Sequence, residues 1–224
     1  MQQVFPHLPI LNNLKNQIIK NNAKKELHAL FEALIEYEDD YSRTSIGLSL
    51  CSWNANGILS KINEFKLFVE KYSPDIILVQ ETKLRPIHNI RIANYTCYRN
   101  DRVAEGHAHG GTLILIKSSI NHFNPPTPQP QYSEATVVTI NPPNFNHLTI
   151  ISIYIPPSSD NRLFKLDFEN LIQINSSCVN FDDFNAWSCS NNSTRGNHLK
   201  NFTDILDIEI AFPDTPDQIR AQLI

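Results

Sequence analysis

The sequence predicts an α+β protein in which β-sheets and helices pack as the layers of a sandwich. From residue 46 onward, short runs rich in β-branched and aromatic residues alternate with clusters of Gly, Pro and Asn, which is typical of strands separated by turns. Apolar residues at helical spacing occur between some of these runs and not between others. Strands that follow each other without a helix favour a layered sandwich over a strictly alternating parallel sheet.

Proline content and the spacing of apolar residues predict the loop, strands and helices of this region. Residues 124–131 contain four prolines and are predicted to form a surface loop, because proline cannot donate to a sheet ladder. Strands are predicted at 48–53, 75–79, 95–100, 112–117, 135–140, 148–155 and 178–181, and helices at 58–72, 162–174 and 197–206.

The first part of the chain has a different pattern. Leucine and isoleucine recur at spacings of three and four over 11–38, with Lys and Glu on the other face, which predicts an amphipathic helix. The stretch 36–45 is acidic and then serine-containing, as linkers often are. We therefore expect a domain to begin near Ile46.

The composition fits a folded chain and excludes several classes of protein. With 224 residues, 41% of them hydrophobic and 19% charged, the chain can bury a core. No apolar run reaches the ~18 residues of a membrane span, and no signal-peptide pattern is present, so we expect neither membrane insertion nor secretion. The four cysteines form no C-x-x-C pair, which argues against a zinc knuckle or a disulfide scaffold and favours a reducing compartment.

Polar residues at the ends of predicted strands are the candidates for chemistry. Asn54 closes the first strand, Glu81 follows the apolar run 76–79, Tyr154 lies in Ile-Tyr-Ile-Pro, and Asp183 and Asn185 follow the last strand. Taken alone, a carboxylate such as Glu81 is also a common helix cap. Together these side chains offer hard oxygen ligands of the kind that suit Mg²⁺. Since the net charge is −4, binding to nucleic acid would need metal ions to supply part of the positive charge.

Six short motifs carry a resemblance to a known family. They are WNANG (53–57), QET (80–82), YRNDR (98–102), GGTLILIK (110–117), IYIPP (153–157) and DFNAW (183–187). Their order resembles the endonuclease/exonuclease/phosphatase, or DNase I-like, superfamily. The residues of the YRNDR and DFNAW motifs resemble the corresponding motifs in the endonuclease domain of jockey-like non-LTR retrotransposons. The resemblance covers about residues 48–216.

The resemblance implies a fold and a division of the chain. The fold would be a four-layer α/β/β/α sandwich of the DNase I type, incomplete at its C-terminal end and with an extra N-terminal helix. The segments would be an N-terminal helical segment and linker (1–45), an incomplete endonuclease/exonuclease/phosphatase-type domain (46–216) and a divergent tail (217–224).

The resemblance also implies roles for single residues. Glu81 matches a metal-ligating glutamate that binds Mg²⁺, and Asn54 lies beside it in the metal and phosphate site. Asp183 matches the aspartate that orients or deprotonates the attacking water, and Tyr154 the tyrosine near the phosphate and leaving group. Asn185 matches the amide that holds the scissile phosphate. Substrate binding is expected from Asn54, Asn185 and Arg102.

The sequence departs from the family pattern in two places. Asp182 replaces the glycine that normally precedes Asp183, and its charge is either tolerated or disturbs the metal site. A further aspartate and a Ser-Asp-His motif of the family are missing from this sequence, which we interpret as a C-terminal truncation. The remaining histidines are not expected to replace that motif: His107 and His109 lie in a glycine-flanked loop, and His198 lies on a predicted helix surface.

The resulting hypothesis is a Mg²⁺-dependent retrotransposon-type endonuclease that nicks DNA to prime reverse transcription, inactive or impaired in this truncated form. DNA would be the partner, in the nucleus or cytoplasm, and the reverse-transcriptase region expected of such an element does not occur in this sequence. Two alternatives remain open. One is a catalytically dead remnant that binds nucleic acid or protein, and the other is a different phosphatase or phosphodiesterase of the superfamily.

Overall fold

The described part of the chain falls into two compact units. The computed structural model describes residues 48–102, 106, 108–141, 147–160, 162–183, 194–206 and 220–223. Residues 48–60 and those from 74 onward belong to one unit, and residues 61–73 belong to the other. The predicted N-terminal segment 1–45, with its helix at 11–38, lies outside the described residues. Elements are numbered in chain order.

The larger unit contains a mixed five-stranded sheet in the order β3-β4-β2-β1-β9. β1 and β2 run parallel, whereas β4 is antiparallel to β2 and to β3, and β9 is antiparallel to β1. Its strands are β1 (Ser49–Asn54), β2 (Ile76–Gln80), β3 (Tyr95–Asn100), β4 (Thr112–Lys117) and β9 (Arg220–Leu223).

A second sheet has four strands in the order β5-β6-β7-β8. β5 and β6, and then β6 and β7, pair antiparallel, while β7 and β8 pair parallel. These strands are β5 (His122–Phe123), β6 (Glu134–Ile140), β7 (Leu148–Tyr154) and β8 (Cys178–Asp183).

The two sheets pack face to face over an apolar layer. β2 and β4 are buried on both faces, so they appear in the sequence as continuous apolar runs such as Ile-Ile-Leu-Val in β2. The layer between the sheets is formed by Leu50, Ile76, Leu78, Ile114, Ile116, Val138, Ile140, Ile150 and Phe181.

Two helices cover the outer face of the second sheet. α2 (Phe164–Ile172) buries Phe164, Phe168 and Leu171 at helical spacing, and α3 (Thr194–Leu206) adds Leu199 and Phe202. These side chains pack in one cluster with Ala135 and Val137 of β6 and with Ile151, Ile153 and Ile155. The alternation along β7 therefore sends Ile150 to one layer and Ile151 to the other.

The smaller unit is described by its helix alone. α1 (Ile62–Tyr72) follows a 3₁₀ turn at Ile58–Lys61 and buries Phe65, Phe68 and Val69. It ends at Ser73, which adopts a left-handed conformation and donates its N–H to the carbonyl oxygen of Val69 at 2.9 Å.

The structure confirms the predicted α+β sandwich and corrects several of its details. Two strands were not predicted: β5, which has two residues, and β9, which lies in the segment 217–224. The predicted helix at 58–72 begins with the 3₁₀ turn, and α3 begins at Thr194, three residues early. Within the described ranges, no helix has the length and apolar character that a membrane crossing needs.

Candidate active site

The candidate residues that the structure describes lie at one end of the sandwich, where the ends of both sheets meet. In the first sheet, register aligns Asn54 with Gln80 and Gln80 with Thr112. In the second sheet, register aligns Glu134 with Tyr154 and Tyr154 with Asp183. Neighbouring strands are about 4.8 Å apart, so the backbones of Glu134 and Asp183 are roughly 10 Å apart.

Buried polar contacts join the two sheets at this end. The Gln80 side-chain amide donates to Ser152 Oγ at 3.0 Å, across the gap between the sheets. Thr112 Oγ1 and Thr136 Oγ1 lie 2.7 Å apart and share a hydrogen bond. Since these groups are buried and satisfied, they fix the two strand ends against each other.

Three residues, Asn54, Asn56 and Lys83, form a closed ring with the Glu81 carboxylate. Asn54 Nδ2 donates to Glu81 Oε1 at 3.0 Å, and Asn54 Oδ1 accepts from the backbone N–H of Asn56 at 2.9 Å. Glu81 Oε2 faces Lys83 Nζ at 3.7 Å, and that ammonium group donates to Asn56 Oδ1. The ring orients a carboxylate whose side chain keeps 19% of its surface exposed, enough to bind a ligand from solvent.

Three residues of this ring have left-handed backbones. The φ angles are 43° for Asn56, 48° for Glu81 and 51° for Lys83. Residues other than glycine rarely adopt a positive φ angle, because it strains the backbone. This strain persists only where surrounding contacts hold the backbone in place. Here Gly57 N–H donates to the Glu81 carbonyl at 2.8 Å and Lys83 N–H donates to the Gly110 carbonyl at 2.8 Å.

A glycine pair lies directly beside the ring. Gly110 and Gly111 have φ angles of 59° and 86°. A side chain at Gly110 would overlap the Glu134 carboxylate, and one at Gly111 would overlap the Thr82 hydroxyl. The close approach of the backbone to both groups explains why the sequence has two glycines here.

Glu134 is a site residue that the sequence analysis did not identify. Its carboxylate accepts the N–H of Gly111, and its Oε1 lies 3.4 Å from the guanidinium of Arg102. Burial raises the pKa of Glu134, and the nearby charge of Glu81 raises it further, against the opposing effects of Gly111 and Arg102. Two carboxylates and one arginine therefore share this end of the sandwich.

The other predicted residues are placed as follows. Tyr154 ends β7 and is buried, and Asp183 ends β8. Arg102 lies two residues beyond β3 and is exposed to solvent. Asn185 lies outside the described residues. The structure thus brings Asn54 and Glu81 into direct contact and pairs Arg102 with Glu134, whose carboxylate accepts from Gly111 beside the ring. Register aligns Tyr154 and Asp183 with Glu134.

The histidines and cysteines that the structure describes offer no alternative centre. His109 is exposed, and His198 lies on α3, as predicted for both. Burial raises the pKa of the Cys51 thiol to about 12, which keeps it protonated and a poor nucleophile. Among the described residues, no group of three His, Cys, Asp or Glu side chains could cage a metal ion.

The donor set at Glu81 nevertheless fits Mg²⁺. This ion is usually held by one or two carboxylates, and it keeps several waters or phosphate oxygens as its other ligands. Glu81 supplies the carboxylate, and the amide of Asn54 holds its orientation at 3.0 Å.

Comparison with known proteins places this geometry in a family. The profile of the Endonuclease/Exonuclease/phosphatase family matches residues 51–218. A probable RNA-directed DNA polymerase from transposon X-element of Drosophila melanogaster is 31% identical over 115 residues, which are 49% of this chain and 12% of that protein. The RNA-directed DNA polymerase from mobile element jockey of the same organism is 25% identical over 158 residues, or 68% of this chain and 17% of that protein. The chain thus spans less than a fifth of these relatives.

A solved structure shows the same fold. The endonuclease domain of TRAS1, a telomere-specific non-LTR retrotransposon, matches with a TM-score of 0.54 at 16% identity, and the match covers 71% of this chain and 72% of that one. The resemblance to DNase I-like proteins and to retrotransposon endonucleases is therefore confirmed, and the chain belongs to the Endonuclease/Exonuclease/phosphatase family.

Proposed function

We propose that this domain is a Mg²⁺-dependent phosphodiester hydrolase of the retrotransposon endonuclease type, with DNA as its substrate. One observation carries the proposal: a partly exposed Glu81 carboxylate is held by Asn54 at the aligned ends of two parallel strands. The similarity to the jockey and X-element proteins and to the TRAS1 endonuclease domain supports DNA as the substrate. A DNA substrate would place its action in the nucleus or the cytoplasm.

In this mechanism, Glu81 and Asn54 would hold the metal and the phosphate. A bound Mg²⁺ would supply positive charge to the phosphodiester and polarise it for attack. The ring of Asn54, Asn56 and Lys83 keeps the Glu81 carboxylate oriented before substrate arrives, so no reorganisation is needed during the reaction.

The other residues would handle water and the leaving group. Asp183 would orient the attacking water and take its proton, because a general base must lie near the scissile phosphate. Asn185 and Arg102 would bind phosphate oxygens, and Tyr154 would lie beside the leaving oxygen. Glu134 holds Arg102 through the 3.4 Å ion pair, so the guanidinium is oriented although it remains exposed.

We expect slow turnover from the 224-residue chain. Its sequence contains no Ser-Asp-His tripeptide to bind and protonate the phosphate. Losing one preorganised group of this kind commonly costs on the order of 10² to 10³ in rate.

The test is the nicking of supercoiled plasmid by the full chain with Mg²⁺, with and without EDTA. We expect slow, metal-dependent nicking that Glu81→Ala abolishes, because that variant removes the metal-binding carboxylate. Glu70→Ala is the matched control, since Glu70 is an exposed glutamate on α1.

Each other outcome decides against part of the proposal. Nicking that persists in Glu81→Ala rejects the site. Absence of nicking at high protein concentration and long incubation favours the alternative of a binding module without activity. Hydrolysis of inositol phosphates or other phosphate esters in preference to DNA favours a different branch of the family.

A further inference from the structure

One short segment of this acidic chain is strongly basic. The whole chain has 19 Lys and Arg against 23 Asp and Glu. Between residues 83 and 102, Asp101 is the one acidic side chain, whereas five are basic: Lys83, Arg85, Arg91, Arg99 and Arg102. Three of these cations face carboxylates, Glu81, Asp101 and Glu134, so among the described residues the exposed side chains of Arg85 and Arg91 are the ones left to attract an anionic partner.

The first half of this segment is a loop with a well-formed turn at its tip. The N–H of His88 donates to the carbonyl of Arg85 at 2.8 Å, and the N–H of Arg85 donates to His88 Nδ1 at 3.0 Å. Pro86 and Ile87 are the two central residues, and proline favours the first of these positions. Leu84, before the turn, and Ile90, after it, are buried and anchor the loop at both sides.

The Arg99 side chain of β3 holds this turn through hydrogen bonds to its backbone carbonyls. Its Nη1 donates to the carbonyl of His88 at 2.6 Å, and its Nη2 donates to the carbonyls of Arg85 and Pro86, each at 3.3 Å. Asp101 holds the same guanidinium at 3.1 Å. One charged side chain thus satisfies three carbonyls, so the turn is rigid and its shape is set in advance.

This rigid turn presents an isoleucine to solvent. Ile87 is 85% exposed, the highest value among the large hydrophobic side chains that the structure describes. Single exposed apolar residues are common on protein surfaces. Ile87 differs from them because Arg85 and Arg91 are exposed on either side of it in sequence and the backbone that carries it is fastened.

The turn lies within reach of the Glu81 site. Ile87 is six positions beyond Glu81, so their Cα atoms are at most about 20 Å apart. B-DNA rises about 3.4 Å per base pair, so this distance corresponds to at most roughly six base pairs of a duplex. Asn100 pairs with Thr112, and Thr112 pairs with Gln80 at the site end of the first sheet. Arg99 precedes Asn100 and therefore lies near that end of the sheet.

We propose that the Pro86–Ile87 turn is a duplex-DNA contact, with Ile87 inserted against the base edges of the minor groove and Arg85 and Arg91 on the flanking phosphates. Rigid apolar wedges between cationic side chains are the means by which minor-groove proteins engage a duplex. The inference rests on the proposed function for its substrate class. It adds a binding element outside the catalytic ring.

The test measures binding separately from cleavage. A fluorescein-labelled duplex of roughly 25 base pairs, more than two helical turns, is titrated with the full chain in EDTA, and anisotropy is recorded. We expect Ile87→Ala to weaken duplex binding by about tenfold while binding of the single strand of the same length changes little, because only the duplex has a groove. Leu166→Ala is the matched control, since Leu166 is 51% exposed on α2.

A second pair of variants tests the phosphate contacts. Arg91→Ala should reduce the slope of log K against log salt by about one, the value for one lost phosphate contact. Arg162→Ala, at an arginine whose side chain is 73% exposed elsewhere in the chain, should leave the slope unchanged.

The inference fails if Ile87→Ala binds the duplex as tightly as the unaltered chain. If the same variant also loses self-association in light scattering, the turn is assigned to a protein contact instead. Because EDTA prevents metal-dependent cleavage, the loss of duplex binding in Ile87→Ala would support the contact even if the nicking test rejected Glu81 as the metal site.

Discussion

At the scale of single residues, the backbone around Glu81 carries strain that the surrounding contacts hold in place. Positive φ at a non-glycine residue costs of the order of 1–3 kcal/mol. Asn56, Glu81 and Lys83 all have positive φ, and side-chain hydrogen bonds and an ion pair join them to Asn54. The strain sets the direction of the Glu81 carboxylate, which is what a preorganised metal ligand requires.

The close packing of Gly111 against Thr82 should make an added methyl group costly. Gly111→Ala should destabilise the fold by about 1–3 kcal/mol more than Gly106→Ala. Both positions have positive φ, 86° and 93°, so the backbone strain is similar. Only at Gly111 would the new methyl group meet a neighbour, the Thr82 hydroxyl, because no described atom lies within 4 Å of a Cβ at Gly106.

Urea unfolding of the two variants measures this difference. Adding Thr82→Ala to Gly111→Ala should recover part of the loss, because the overlapping hydroxyl is then gone. Equal destabilisation of the two single variants would show that the close approach of Gly111 to Thr82 has no energetic effect.

Glu134 shows where prediction of the site from sequence stops. Asn54 and Glu81 were predicted because each follows an apolar strand and matches a family motif. Glu134 begins β6, where an acidic residue ordinarily indicates a solvent-exposed strand end. Its contact with Gly111 depends on how the second sheet packs against the first, and neither periodicity nor local motif contains that information. The one available signal was an acidic residue directly before the apolar run that was predicted as a strand at 135–140.

At the scale of elements, strands that are apolar and bounded by turn residues were predicted well. The bounds of β3 and β4 match the prediction, and β6 and β7 differ by one residue at one end. β1 and β2 lie one residue later than predicted at both ends, and β8 continues two residues further. β5 was missed because two residues carry no periodicity. β9 was missed because Arg-Ala-Gln-Leu has weak β propensity and pairs only through its register with β1.

Asp75 connects three strands at the end of the first sheet opposite the site. Its Oδ2 accepts from Ser49 N–H at 2.9 Å and Ser49 Oγ at 2.8 Å, and its Oδ1 pairs with Lys117 Nζ at 2.8 Å. Burial acts to raise the pKa of Asp75, but the bonds from Lys117 and Ser49 outweigh it, and the pKa is lowered from its ordinary value of 3.8.

This carboxylate makes stability depend on pH. A lowered pKa in the folded state stabilises the fold above pH 3.8, and the contribution is lost as pH falls through the native value. Asp75→Asn should therefore cost about 1–3 kcal/mol at pH 7 and progressively less below pH 4. Urea unfolding at several pH values measures it, with Asp204→Asn on α3 as the exposed control. A cost that stays constant down to pH 2 would contradict the assignment.

At the scale of the whole molecule, the two sheets bring together residues that are far apart in sequence. Gln80 of the first sheet bonds Ser152 of the second, 72 positions away, and Asn100 Nδ2 donates to the carbonyl of Ala135 at 3.1 Å. These contacts align both rows of strand ends. The described parts of the six family motifs lie at these strand ends, which explains why motifs that are far apart in sequence belong to one end of the sandwich.

The proposed function depends above all on Glu81, which we expect to bind a divalent metal ion while Asn54 holds its carboxylate. Mn²⁺ is a suitable probe because binding removes the free ion's signal in electron paramagnetic resonance, and Mg²⁺ should compete for the same site. We predict that the full chain binds Mn²⁺ and that Glu81→Gln, which keeps the shape but removes the charge, weakens binding by at least about tenfold. Glu70→Gln should bind like the unaltered chain. Equal Mn²⁺ affinity for the Glu81→Gln variant and the unaltered chain would contradict the account.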